Sequence, residues 1–349
     1  MSSTEPAFVS ARPRLRIDGS TLAALGEAAL ALSVHLPASG MASAELRVIN
    51  WLPGDAGAPD FAFQQLRLGS RLEILLGETG DSAVFSGDIT ALEERYGDGA
   101  PQLVILAEDA LHKLARSRAS RVFENQGLGE VVRAIASEAG LQADVDVDAG
   151  SADWLQHNES HLAFLLRLLG PHGISLRMQD GRLRARAEEA DAKPVRVDPA
   201  ANARRVRIVA DLNRQPREVL AKGYNLAADA DANGSSSALA PSPSGRTAAA
   251  TLAELGWDGH SPRPHPYPRS QAEADSLARG AFRRDALRFL HGEIVCAGSP
   301  ELGAGRELEL AGVSPRLAGR YRITECWHHF DNTQGLSTRL RVERPDWNP

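Results

Sequence analysis

The residues best suited to chemistry gather at the end of the chain. The closing stretch RYRITECWHHFDNTQGLSTRLRVERPDWNP, residues 320–349, holds Cys326, His328, His329 and several acids. Thiolate, imidazole and carboxylate are the ligands of zinc and the working groups of many hydrolases. The spacing argues against both uses. The stretch alternates like a strand, so His328 and His329 point to opposite faces, and only Cys326 shares a face with His328. A tetrahedral ion needs four ligands converging from one side, and two more are not evident.

The other candidates read in the same bland way. His157 and His161 stand four apart, which is ligand spacing on a helix. But His157 precedes the helix start expected at Asn158, and H-N-E-S-H is not H-E-x-x-H. His260 and His265 sit in a proline-rich extended segment and read as solvated. The glycine turns GDGAP, GLGE and ELGAGRE match neither a phosphate loop nor a dinucleotide fingerprint, and there is no G-x-S-x-G elbow. Glu93/Glu94 and Glu188/Glu189 are adjacent rather than facing, the pattern of a wet surface. Arg279, Arg283, Arg284 and Arg288 make a basic stripe on a helix, either solvated or available to acids of a neighbouring chain. No catalytic residue, metal ligand or cofactor is assigned.

Composition narrows the class. The chain has 349 residues, enough for two or three domains, and a formal net charge of −6, which gives no footprint for nucleic acid. Cys296 and Cys326 are its two cysteines and read as buried small hydrophobes rather than a bridge. No secretory signal and no membrane-spanning run is expected. Synthesis is therefore placed in the cytoplasm.

The elements that must position these residues are mostly strands. Leu30, Leu32, Val34 and Leu36 alternate; so do Leu72, Ile74 and Leu76, and Phe85, Gly87 and Ile89. PQLVILAED is apolar on both faces and reads as a doubly covered strand. After Arg116 the period changes. Leu128, Val131, Val132, Ile135 and Ala139 mark an amphipathic helix ending at Gly140. A second helix, capped by Asn158, is apolar nearly all round and ends at Gly170-Pro171. Strands return from about 195, broken by the Ala/Ser/Gly/Pro-rich segment 227–250, expected to be a mobile loop, and by a helix over 270–291. The expected fold is mainly β with an α+β insertion. Two β-barrel-like domains, 1–115 and 195–349, flank a small α+β domain, 116–194.

Several stretches resemble a known family in the right order. VFSGDITALE is similar to the F-x-G-x-I strand of contractile-tail hub proteins, and FENQGLGEVVRAIASEAGL to the segment before their middle domain. QHNESHLAFLLRLLGPHGISL resembles their N-E-S-x-x-x-F-L-x-R-L signature. AGSPELGAGRELELAGV with LAGRYRITECWHHFD resembles their closing strand pair. The family comprises the phage late control gene D proteins and the hub part of VgrG and contractile-injection spike proteins.

The resemblance implies a structural role as a baseplate hub. Such a hub is a homotrimer whose two tube-type barrels per chain imitate a hexamer, meeting a hexameric tail tube on one face and a trimeric spike on the other, within a phage tail or injection particle. Expected interface contributors are Phe85, Gly87, Ile89, Asn158, Leu162, Leu165, Leu166, Leu169, Tyr321, Ile323, His329 and Phe330. Rival readings are a peptidoglycan hydrolase using dispersed carboxylates, and a cargo adaptor acting through 227–250.

Overall fold

The computed structural model describes residues 12–348 apart from 54–58, 78–82, 98 and 188–192. The Glu188/Glu189 pair lies outside the described residues. Strand outweighs helix, 47% to 18%, so the chain is mainly β.

The first module comprises β1 (Arg14–Ile17), β2 (Ala29–Pro37), β3 (Ser43–Ile49), β4 (Arg71–Leu75), β5 (Phe85–Arg95) and β6 (Gln102–Glu108). Period-two alternation decides its buried face. Leu32 and Val34 of β2, Leu46 and Val48 of β3, Leu72 and Ile74 of β4, and Phe85 and Ile89 of β5 share one core. In β6 the consecutive Leu103, Val104 and Ile105 are all buried, as its two-sided apolar pattern requires.

The middle unit runs through β7 (Arg118–Gly127), α1 (Leu128–Glu138), β8 (Ala143–Asp146), β9 (Ser151–Ser160), α2 (His161–Leu169), β10 (Ser175–Gln179) and β11 (Arg182–Arg186). The apolar stripe of α1 and nearly all of α2 pack with Leu176 and Leu183 in a separate core. Helix α2 starts later than its sequence suggests. Ser160, not Asn158, is the cap, its hydroxyl accepting from the Ala163 amide at 3.1 Å. Asn158 instead lies at a bulge of the β7–β9 ribbon with φ +45°, a conformation its short polar side chain tolerates.

The second module comprises β12 (Val195–Val197) and β13 (Ala203–Ala210), then, after an insertion, four more strands. The insertion carries β14 (Glu218–Asn225), β15 (Ala230–Ser236), α3 (Ala248–Leu255), β16 (His260–Arg263) and α4 (Gln271–Ala286). The strands that follow are β17 (Leu290–Ala297), β18 (Glu307–Leu310), β19 (Gly319–Asp331) and β20 (Gly335–Arg344). The segment 227–250 is therefore not the loop that its composition implies. Residues 230–236 pair with residues 219–225 of β14, and 248–250 open α3. Small residues suit that strand because α4 lies on it: a Cβ at Gly234 would come within 2.2 Å of the Ala274 carbonyl oxygen.

Strands from both modules form one sheet in the order β13-β17-β20-β19-β2-β3-β6-β5-β4-β1, with β18 beside β19 and β12 beside β18. The expected pair of barrels is corrected here: no closed barrel forms among the described residues. Alternation specifies which face of a strand is buried, not whether the first strand of a module meets its last. The two modules remain open and join edge to edge.

Candidate interface site

The two modules repeat one plan. In order across the sheet, the first reads β2-β3-β6-β5-β4 and the second β13-β17-β20-β19-β18. In both, the chain visits these positions in the same sequence. The irregularities repeat too. Strand β5 carries one extra residue against β6, Thr90, directly after Ile89; β19 carries one against β20, Thr324, directly after Ile323. Strand β2 bulges at Leu30 against β3, and β13 bulges at Arg204 against β17. Before each isoleucine bulge a left-handed glycine closes the same contact. The Gly69 amide (φ +88°) donates to the Ile89 carbonyl at 2.8 Å, and the Gly305 amide (φ +83°) donates to the Ile323 carbonyl at 2.8 Å.

A bulge adds twist and re-aims a strand. Before its bulge, β19 pairs with β18 on one edge; after it, residues 325–331 pair antiparallel with residues 31–37 of β2 on that same edge. The changeover is marked by the Ala38 amide donating to the Thr324 carbonyl at 2.8 Å. This seam welds the modules together. Its inner face is apolar: Phe330 opposite Leu32, and His328 opposite Val34, all buried. Its outer face is polar. His35 stacks on Trp327 with centroids 4.8 Å apart, and Arg339 and Arg341 lie over the same indole at 5.4 and 5.3 Å. Glu325 accepts from Arg341 at 2.8 Å and sits 3.2 Å from the His35 ring.

The residues singled out for chemistry are placed plainly. Cys326 and His328 share the inner face, Sγ to Nε2 3.5 Å, while His329 lies on the other side, half-buried. The second ring nitrogen of His328 meets Thr338 Oγ1 at 3.0 Å. Burial pushes the His328 pKa down to about 4 and the Cys326 thiol well up, so the pair is a neutral imidazole beside a protonated thiol. Neither has solvent access. His157 is exposed, whereas His161 is buried against the Gln156 amide at 2.9 Å. His260 pairs with Glu218 at 3.2 Å. Glu93 and Glu94 are exposed on β5, and Glu93 binds Arg95. Of the basic stripe on α4, Arg284 donates to the Gly170 carbonyl at 3.2 Å.

Most of the residues expected at an interface form cores within the single chain. Phe85, Ile89, Tyr321, Ile323 and Phe330 are buried in the modules, and Leu162, Leu165 and Leu169 in the middle unit. The Gly87 position lacks room for a side chain, since a Cβ would lie 2.3 Å from the Glu108 carbonyl oxygen. Asn158, Leu166 and His329 keep surface. The resemblance implied two like modules, but nothing in the sequence pointed to the seam that joins them. Within the sequence the repeat leaves one trace, the Ile-Thr dipeptide, present as Ile89-Thr90 and again as Ile323-Thr324.

The fold is shared with phage tail proteins, as the sequence motifs implied. The 43 kDa tail protein of prophage MuSo2 from Shewanella oneidensis aligns with a TM-score of 0.68 at 13% identity, covering 96% of this chain and 98% of that one. A tail protein from Neisseria meningitidis MC58 aligns with a TM-score of 0.64 at 14% identity, covering 97% and 99%. The c3393 protein of E. coli is described as a type VI secretion component structurally similar to T4 bacteriophage tail proteins gp27 and gp5. It aligns with a TM-score of 0.58 at 13% identity, covering 95% and 76%. No curated protein matches the sequence. The family described as the Alg8 N-terminal domain matches residues 12–332, nearly the whole length, and the chain belongs to that family.

Proposed function

We propose that this protein is a non-enzymatic structural hub of a contractile tail or injection particle, a homotrimer that adapts a hexameric tail tube to a trimeric spike. The observation that carries this reading is the repeated plan of the two modules: one strand order, bulges at matching places, and matching glycine contacts. Two like modules per chain give three chains six like modules, so a threefold object offers a sixfold surface. The kinship of fold with tail proteins and a type VI component supports the same reading. So does the character of the Cys326–His328 pair, sealed and electrically neutral, which suits packing rather than turnover.

The trimer reading requires each chain contact to bury well above about 2,000 Å². Asn158, Leu166 and His329 are the members of the expected interface set with surface left to contribute. Light scattering and negative-stain imaging of the purified protein test the proposal. The expected result is a three-copy ring of six lobes. A stable monomer at high concentration would overturn it.

A further inference from the structure

The seam inside one chain is a template for a contact between chains. After its bulge, β19 is flanked by β20 on one edge and β2 on the other. Its counterpart β5 is flanked after its own bulge by β6 alone: among the described residues no strand pairs with the other edge of residues 91–95. The counterpart of β2 is β13, and its edge away from β17 is likewise bare among the described residues. Each chain thus owns one filled seam and the two halves of an empty one.

We propose that β5 of one copy and β13 of the next pair antiparallel in the register of the internal seam, closing the sheet into a continuous ring. The proposal rests on the trimer reading and adds to it the joint and its register. Carrying the seam pairs across by the bulge positions sets Leu92 opposite Ala210, Glu93 opposite Val209, Glu94 opposite Ile208 and Tyr96 opposite Val206.

Four features fit. Facing is preserved: Val206 and Ile208 already pack partly on the second core, as Leu32 and Val34 pack on the first. The aromatic position is preserved: Tyr96 stands where Phe330 does. Exposure runs the right way, because Phe330 is 5% exposed in its filled seam whereas Tyr96 is 62% exposed. Charge is complementary on the outer face: Glu93, opposite Val209, lies diagonal to Arg207, and β13 carries Arg204, Arg205 and Arg207 and no acid. An unpaired strand edge bearing apolar residues is a liability that native proteins cover. The contact is head to tail, the kind that generates a ring when its rotation closes.

Cysteine pairs test the register in the full chain. Glu93→Cys with Val209→Cys, and Glu94→Cys with Ile208→Cys, are neighbouring pairs. One of them is the non-hydrogen-bonded kind whose Cα atoms approach to about 4.5 Å, within disulfide range. At least one should yield chain-to-chain disulfides up to a covalent trimer on a non-reducing gel. The off-register pair Glu93→Cys with Ile208→Cys, on opposite faces, should not. Tyr96→Asp, at an exposed site, should weaken assembly at least tenfold while leaving the single chain's melting unchanged. A three-copy particle in which neither in-register pair links, or in which the off-register pair links equally, overturns the joint and leaves the trimer standing. A monomeric wild-type mass overturns both.

Discussion

The imidazole of His35 lies flat on the indole of Trp327, centroids 4.8 Å apart and planes 7° from parallel, and so bridges a strand of the first module to one of the second. Stacked aromatic pairs contribute about 0.5–1.5 kcal/mol beyond the area they bury. Trp327→Ala also strips the cover from Arg339 and Arg341. It is expected to lower unfolding stability by about 2 kcal/mol. A double-mutant cycle with His35→Ala, read by urea denaturation, should return a coupling of about 1 kcal/mol across the seam. Additive single effects would show that the stack holds nothing.

Helix α4 touches the middle unit backbone to backbone. A Cβ at Gly280 would lie 2.3 Å from the His172 carbonyl carbon, and one at Gly173 would lie 3.1 Å from the Gly280 Cα. Gly280→Ala should therefore push the elements apart and cost about 1–3 kcal/mol, despite alanine's better helix propensity. Thermal melting measures it. Gly170→Ala, at a site with open space around it, is the control and should change little.

Thr338 serves two buried partners. Its hydroxyl meets His328 Nδ1 at 3.0 Å and accepts from the Ser299 amide at 3.3 Å. Thr338→Val keeps the shape and leaves both groups unpaired, so a loss of about 2–4 kcal/mol is expected, with Thr338→Ser recovering most of it. Equal stability of the two variants in guanidinium would contradict this account of the core.

Acid should weaken the fold through its buried histidines. Burial pushes both His172 and His328 down to about 4 from the ordinary 6.5. The unfolded chain then binds more protons between pH 6.5 and 4, so stability is complete above about 6.5 and declines as the pH falls through that window. Asp109 works the other way. Buried, and raised to about 6 despite amides of Ala42 and Leu111 at 2.8 and 2.9 Å, it takes up its proton more readily when folded and favours the mildly acid state. Burial also lowers His161 and His329 and raises Glu343, so four histidines stand against two carboxylates and acidification leaves a net loss. Urea midpoints from pH 7 to 4.5 should fall, and His172→Gln should flatten the slope. A flat profile in the wild type would refute it.

The local layers of this molecule were open to sequence reading, and the long-range ones were not. Phe85, Gly87 and Ile89, or Leu128 with Val131 and Val132, state their periodicity within a few residues, and the buried faces follow. The cap of α2 was misplaced by two residues because asparagine and serine both accept from a helix amide, and only φ +45° at Asn158 separates them. Strand β15 was hidden because its burial comes from α4, forty residues on, and not from its own side chains. The seam was out of reach for the same reason. It pairs residues 325–331 with 31–37, and nothing in either segment announces the other.

The insertion between β13 and β17 occupies the place where the first module has only the short turn 38–42 between β2 and β3. Along the sheet the two modules therefore follow one strand plan, and away from it they differ. The strand plan occurs twice in each chain, whereas α4 and its small sheet occur once. A doubled plan and an unpaired insertion are thus written into one polypeptide, and only the insertion tells its two halves apart.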